Sequence, residues 1–125
     1  MEIADLPRPA CFVLGGGGSL GAIQVGMLQA LSEHEVSPDM VAGTSVGSLN
    51  GAVVALDPRS AANRLSHVWA RVTREMVFPG GLLAQAHTLR HSKIHLFPNT
   101  GLATVIADFL GEAVDFADLA LPSQR

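Results

Sequence analysis

"CFVLGGGGSLGAIQVGMLQAL", residues 11–31, is the stretch that decides the fold. It opens with an apolar run, Cys11–Leu14, which predicts a short buried strand. Four consecutive glycines follow as a loop, and from about Leu20 to Glu33 apolar residues recur at helical spacing. A strand, a loop and a helix in this order begin a βα unit of a parallel sheet.

A second βα unit follows. Met40–Ala42 is a short apolar strand, and it leads through "GTSVG", residues 43–47, into "SLNGAVVAL", which predicts a buried helix up to Asp57. Two such units imply parallel strands with helices on the faces of the sheet. We therefore expect the α/β class, with a three-layer α/β/α arrangement and a mainly parallel sheet. Two strands do not make a stable sheet, so we expect more strands after Arg125 and regard the chain as truncated.

Three helices are predicted from their apolar positions, and two of them also have a recognisable start or end. The first carries its predicted apolar positions at Ile23, Val25, Met27, Leu28 and Leu31. Asp57-Pro58 predicts the start of a later helix, with aspartate as N-cap and proline at the first helical position. The apolar stripe of that helix is Leu65, Val68, Trp69, Val72 and Met76. A last amphipathic helix contains Leu102, Val105, Ile106, Phe109 and Leu110 and is closed by Gly111.

The composition excludes several classes of protein. The 125 residues are 48% hydrophobic and 15% charged, with a formal net charge of −3, which fits neither a disordered segment nor a nucleic-acid-binding protein. The single cysteine, Cys11, lies in an apolar run and is predicted to be a small buried hydrophobe. Residues 1–9 carry acids and two prolines where a signal peptide needs basic residues and an apolar core. We expect a flexible lead-in over these residues and a cytoplasmic protein.

One interpretation of the glycine loop is dinucleotide binding. Gly16, Gly18 and Gly21 satisfy G-x-G-x-x-G between a predicted strand and a predicted helix. That interpretation also needs an acidic residue at the end of the second strand, to hold the ribose. The second strand runs into Gly43 without one, and Asp39 lies before the strand instead of after it.

The other interpretation centres on the second turn. Gly43, Ser45 and Gly47 form G-x-S-x-G between a strand and a helix, the context in which a serine occupies a strained, exposed turn. A serine that attacks an acyl carbonyl creates an oxyanion, which needs backbone N–H donors from a nearby loop. Parallel neighbouring strands bring both turns to one edge of the sheet. The amides of Gly16–Gly18 are therefore candidate oxyanion donors.

The two motifs together resemble the beginning of a patatin-like phospholipase. That family pairs a G-G-G-x-R/K-G oxyanion loop with a G-x-S-x-G nucleophile, here "GGGGSLGAIQVGMLQAL" and "VAGTSVGSLNGAVVAL". The resemblance implies that residues 10–125 are the N-terminal part of such a domain, without a cofactor, acting on a phospholipid or another fatty acyl ester with peripheral membrane contact. It implies the following sites: Ser45 as nucleophile, Gly16, Gly17, Gly18 and Gly21 in the oxyanion loop, and Gly43 and Gly47 in the nucleophile elbow.

The chain departs from the family pattern at two points. Leu20 stands where the family usually has arginine or lysine. The family uses a Ser–Asp dyad with its aspartate in a D-G-G/A motif, and no D-G occurs in these 125 residues. We therefore expect the catalytic aspartate beyond Arg125, and the chain alone to be inactive.

The remaining polar residues have simpler interpretations. Asp39 is predicted to be a turn residue. His87, His91 and His95 are spaced by four, but structural zinc takes four ligands and no cysteine is near, so we expect an exposed connection and no metal site. Three alternatives stay open beside the lipid acyl hydrolase: a nucleotide-binding Rossmann-like domain, an α/β serine hydrolase that uses a histidine, and a non-catalytic fragment.

Overall fold

A computed structural model describes residues 6–72 and 99–111 of the chain. The elements in chain order are strand β1 (Cys11–Leu14), a single 3-10 turn (Gly18–Leu20), helix α1 (Gly21–Glu33), strand β2 (Met40–Gly43), and helices α2 (Val46–Leu56), α3 (Ala61–Trp69) and α4 (Asn99–Leu110). The order of strands and helices is the predicted one. Met76 and the three histidines of residues 87–95 lie outside the described residues.

The two strands pair in parallel, with Cys11 opposite Met40 and Leu14 opposite Gly43. Helix α1 forms the crossover between them, so the predicted α/β class with a parallel sheet is confirmed. Because the strands are parallel and in register, their carboxyl ends lie at one edge of the sheet. The glycine loop and the "GTSVG" turn therefore leave the sheet side by side.

The core lies on one face of this sheet. Phe12, Leu14 and Val41 point to that face, where helix α2 packs directly on the strands. The close approach depends on Gly51, where an added Cβ would lie 3.0 Å from Val41 Cγ1. The largest side chains that are almost completely buried belong to the helices: Val53, Val54, Leu65 and Phe109.

The opposite face of the sheet is exposed, which corrects the expectation of a buried strand. Val13 is 76% exposed and Met40 53%. Cys11 is also exposed, so its prediction as a buried hydrophobe is wrong. The physical reason is the period of two along a strand, which sends alternate side chains to opposite faces. The described helices cover only the face of Phe12 and Leu14.

Helix α1 buries a different face from the one that its apolar spacing indicated. Val25 and Leu28 are buried, as predicted, whereas Ile23 and Met27 are 61% and 60% exposed. The helix is apolar on more than one side, so spacing alone does not select the buried face. The selection comes from Gly21, which lies against Val46 of α2 and the ring of Trp69 in α3.

The start of α3 differs by one turn from the prediction. The helix begins at Ala61, and Asp57 caps the turn before it: the carboxylate accepts the Ser60 hydroxyl at 2.6 Å and the Arg59 backbone N–H at 3.1 Å. The Ser60 hydrogen bond is the main cause of a lowered pKa for Asp57. Asp57 therefore serves as a cap, but for the turn of residues 58–60.

The end of α4 is as predicted. Val105 and Phe109 are 2% and 1% exposed. Phe109 meets Trp69 edge to face, with ring centroids 5.8 Å apart. Gly111 adopts a φ of +76° and donates its N–H to the Ala107 carbonyl at 2.8 Å, which ends the helix in a left-handed cap.

No helix within residues 6–72 and 99–111 combines the length and the apolar character needed to cross a membrane.

Two glycines of α1 are expected to respond oppositely to alanine. A Cβ at Gly26 meets nothing within 4 Å, so Gly26→Ala should raise the free energy of unfolding by about 0.5–1 kcal/mol, because alanine is the better helix former. A Cβ at Gly21 would lie 2.6 Å from Trp69 Cζ2, so Gly21→Ala should lower it by about 1–3 kcal/mol. Urea unfolding of both variants is the measurement, and equal stabilities would contradict this packing of α1.

Candidate active site

Ser45 lies in a strained turn between β2 and α2. Its backbone adopts φ +53° and ψ −127°, a region that side-chain-bearing residues rarely occupy. Two hydrogen bonds hold the turn: Gly47 N–H to the Thr44 carbonyl at 2.9 Å, and Ser48 N–H to the Ser45 carbonyl at 2.8 Å. Strain of this kind costs about 1–3 kcal/mol and is concentrated at functional sites, which makes Ser45 a candidate nucleophile.

The glycines on either side of Ser45 leave the space that this turn needs. A Cβ on Gly43 would contact the carbonyl group of Gly47, and a Cβ on Gly47 would contact the carbonyl oxygen of Leu14. The first turn of α2 therefore lies against the backbone end of β1. No other residue type fits at either position without a shift of the backbone.

The Ser45 hydroxyl stands at the N-terminus of α2. Ser45 is the N-cap of this 11-residue helix, yet its side chain makes no capping hydrogen bond. The residue is exposed. Partial positive charge from the unpaired N–H groups of a helix N-terminus favours negative charge that develops nearby. The hydroxyl is therefore accessible and lies in a favourable electrostatic position.

The glycine loop runs beside Ser45. The Thr44 N–H donates to the Leu14 carbonyl at 3.1 Å and joins the two turns. A Cβ on Gly16 would lie only 3.3 Å from Ser45 Cβ, so the loop backbone is in close contact with the serine. Within the described residues, the backbone N–H groups of Gly16 and Gly17 have no backbone acceptor. These N–H groups are therefore candidate donors to an external ligand.

The remaining residues of the predicted loop determine the path of the backbone into α1. Gly18 adopts φ +57° and Gly17 φ +158°, values that favour glycine. Leu20 packs against Gly17, where an added Cβ would lie 3.2 Å from Leu20 Cβ. Gly21 begins α1 and, as described above, lies against Val46 and Trp69. Gly21 is therefore a packing position at the end of the loop.

Neither Asp39 nor Asp57 lies near Ser45. Asp39 precedes β2, at the opposite end of the strand from Ser45, where its carboxylate accepts the Ala10 N–H at 2.7 Å and Arg8 Nη1 at 2.9 Å. The hydrogen bond from the Ala10 N–H is the main cause of a lowered pKa for Asp39, and the hydrogen bond from Arg8 lowers it further. Asp57 follows the far end of α2, about 16 Å along the helix. Both carboxylates are occupied elsewhere.

A metal site has no support among residues 6–72 and 99–111. That part of the chain contains no group of three or more histidine, cysteine, aspartate or glutamate side chains placed to hold an ion. His87, His91 and His95 lie outside it, so the prediction about them stays a prediction.

Two polar residues near the site were missed by the sequence interpretation. Asn50 of α2 is completely buried, and its amide donates to the Gly21 carbonyl at 3.0 Å and to Gln24 Oε1 at 2.8 Å. Gln24 Nε2 donates to the Gly15 carbonyl at 2.7 Å. An asparagine inside the apolar run "SLNGAVVAL" was a signal for Asn50, whereas nothing in the sequence marked Gln24.

Comparison with known proteins identifies the family that this geometry fits. The family model described as patatin-like phospholipase matches residues 12–119. Similar relatives are a lysophospholipase of Aspergillus terreus, 36% identical over 58% of this chain, and one of Phaeosphaeria nodorum, 29% identical over 78% of it. A patatin-like phospholipase domain-containing protein of Caenorhabditis elegans is 44% identical over 48% of the chain. The matches cover only 5–7% of the length of these relatives, and no solved structure matches.

The strain at Ser45 can be measured through stability. Glycine adopts a positive φ freely but costs about 0.5–1 kcal/mol more to order than alanine. Relief of about 1–3 kcal/mol of strain should therefore make Ser45→Gly more stable than Ser45→Ala by about 1 kcal/mol.

Ser48 of α2 is the matched control for this comparison. Its position is helical, so Ser48→Gly should be less stable than Ser48→Ala, by up to about 1 kcal/mol. Chemical unfolding of the four variants gives both differences. The same sign at the two positions would show that Ser45 stores no strain.

Proposed function

Because the chain belongs to the patatin-like phospholipase family, we propose that its protein is a serine-dependent lipid acyl hydrolase with Ser45 as nucleophile. The observation that carries the proposal is the positive φ of Ser45 at the N-terminus of α2, beside the backbone of Gly16. A nucleotide-binding function of the glycine loop would leave that strained serine without a role. The lysophospholipase names of the fungal relatives support a lipid ester as substrate.

The first step is attack of Ser45 Oγ on the ester carbonyl carbon. The hydroxyl proton passes to the catalytic aspartate, which the family carries in a D-G-G/A motif that these 125 residues lack. The carbonyl oxygen becomes an oxyanion and accepts hydrogen bonds from backbone N–H groups of Gly16–Gly18. Such preorganised donors, together with the α2 terminus, stabilise the negative charge as it develops.

The second half of the reaction releases the products. The tetrahedral intermediate collapses, the alcohol part of the lipid leaves with the proton from the aspartate, and the acyl group stays on Ser45. The aspartate then takes a proton from water, and the resulting hydroxide attacks the acyl carbonyl. Collapse of this second intermediate returns the proton to Ser45 and releases the fatty acid. No cofactor enters either half.

The surface beside the glycine loop supports a lipid substrate. Leu20, Ile23 and Met27 are each about 60% exposed. They follow one another at i, i+3 and i+7, so they form one apolar stripe that starts at the loop and continues along α1. In this proposal, Leu20 gives the loop an apolar neighbour where the family usually has a cation.

Labelling with a fluorophosphonate probe tests the nucleophile. In the complete protein, we expect Ser45 to be labelled and Ser45→Ala to lose both labelling and hydrolysis of a lysophospholipid. Ser48→Ala, three residues further along the same turn of α2, is the matched control and should retain both. Hydrolysis that persists in Ser45→Ala would overturn the proposal.

Gly16 and Gly15 test the role of the loop. Gly16→Ala places a methyl group 3.3 Å from Ser45 Cβ, which must displace either the serine or the loop. The shift needed is a few tenths of an ångström, and since misplacement of catalytic groups by about 1 Å costs on the order of 100-fold in rate, we expect kcat to fall by roughly threefold to tenfold. Gly15→Ala meets nothing within 4 Å and should retain normal kcat. Steady-state kinetics of the two variants decide, and equal kcat values would show that the loop contributes no catalytic N–H group.

A further inference from the structure

A chain of side-chain hydrogen bonds connects three helices to the glycine loop. Trp69 Nε1 of α3 donates to Asn50 Oδ1 at 2.9 Å, Asn50 Nδ2 donates to Gln24 Oε1 at 2.8 Å, and Gln24 Nε2 donates to the Gly15 carbonyl at 2.7 Å. Asn50 Nδ2 also donates to the Gly21 carbonyl at 3.0 Å. We refer to the two side-chain amides, Asn50 and Gln24, together with the Trp69 indole that donates to Asn50, as the amide chain.

The amide chain is centred on a buried residue, Asn50, whereas Gln24 and Trp69 are half-buried. Asn50 is 0% exposed, and both its amide nitrogen and its carbonyl oxygen are used. Among the described residues no buried side-chain nitrogen or oxygen lacks a partner. The Asn50 side chain is held in one geometry, because any displacement would leave a desolvated polar group unpaired. Asn50 therefore offers Gln24 Oε1 a donor at a fixed place.

The amide chain ends on the two carbonyls that flank the oxyanion loop. Gly15 precedes Gly16–Gly18 and Gly21 follows them: the Gly21 carbonyl accepts from Asn50 of α2, and the Gly15 carbonyl accepts from Gln24 of α1, which is itself hydrogen-bonded to Asn50. Helix α2 is also the helix that Ser45 caps. The loop and the serine are thus tied to a common support at both ends of the loop.

The Gly15 hydrogen bond has a direct consequence for the candidate oxyanion donor. The carbonyl of Gly15 and the N–H of Gly16 belong to one planar trans peptide, in which the two groups point in opposite directions. A hydrogen bond that fixes the carbonyl therefore fixes the direction of the Gly16 N–H. It also polarises the peptide and strengthens that N–H as a donor.

We propose that Gln24, held by Asn50, is a positioning residue that aims the Gly16 N–H at the oxyanion formed by attack of Ser45. This inference rests on the proposed function. Gln24 does not touch the substrate: it acts through the Gly15–Gly16 peptide. Its loss should lower the rate of the chemical step and leave substrate binding almost unchanged, because the oxyanion exists only in the transition state and the intermediates.

The test compares Gln24→Met with Gln29→Met in the complete protein. Gln29 lies on the same helix and donates to Ser66 Oγ of α3 at 2.7 Å, a hydrogen bond of the same kind remote from the loop. We expect Gln24→Met to lower kcat about tenfold or more with KM changed less than about twofold, whereas Gln29→Met keeps both. Rates are expressed per site titrated with fluorophosphonate, so unfolded molecules do not contribute.

Gln24→Glu separates the two hydrogen bonds of Gln24. An ionised glutamate still accepts from Asn50 but has no hydrogen to donate to Gly15, so kcat should fall as in Gln24→Met. Wild-type kcat in both Gln24 variants, or a rise in KM with kcat unchanged, would overturn the positioning role alone. Absence of Ser45-dependent hydrolysis in the unsubstituted protein would overturn the proposed function and this inference together.

Discussion

The close approach of helix α2 to the end of strand β1 is the constraint on which the rest of this structure depends. Gly47 lies against the carbonyl oxygen of Leu14, and Gly43 lies against Gly47. With no side chain at either position, the chain turns from strand to helix within two residues. That sharp turn forces the positive φ of Ser45 and leaves its hydroxyl at the helix N-terminus. The strain at Ser45 is balanced by the packing of α2 on the sheet.

Separate local requirements explain most of the glycines after β1. Glycine costs more to order than any other residue, so four in succession need a physical reason. At Gly16 the reason is contact with Ser45, and at Gly18 it is a left-handed backbone. Gly21 lets α1 pack against Trp69. Gly15 has no such steric requirement, and its carbonyl is the acceptor that receives Gln24.

In residues 6–72, two charged groups that could have served Ser45, namely Asp39 and Asp57, lie away from the candidate site. The Arg8–Asp39 ion pair lies at the opposite edge of the sheet, and Asp57 caps a turn beyond the far end of α2. Among the described residues, backbone groups of the glycine loop and the α2 terminus lie beside Ser45. Such groups stabilise a developing negative charge without holding a permanent one. In the proposed reaction, the proton acceptor is therefore neither Asp39 nor Asp57.

The sequence by itself determined the order of elements and the place of the candidate site. Glycines and apolar spacing predicted β1, α1, β2 and α2, and parallel strands then required both turns to meet at one edge. Local pattern could not decide which face of α1 is buried, because its apolar residues surround more than one side, and Gly21 against Trp69 selects the face. Nor could it decide that Cys11 is exposed or that α3 begins at Ala61.

The amide chain through Asn50 and Gln24 joins residues 26 positions apart, so only the tertiary structure reveals it. A hydrogen bond between distant residues depends on how helices pack, and no local spacing encodes that.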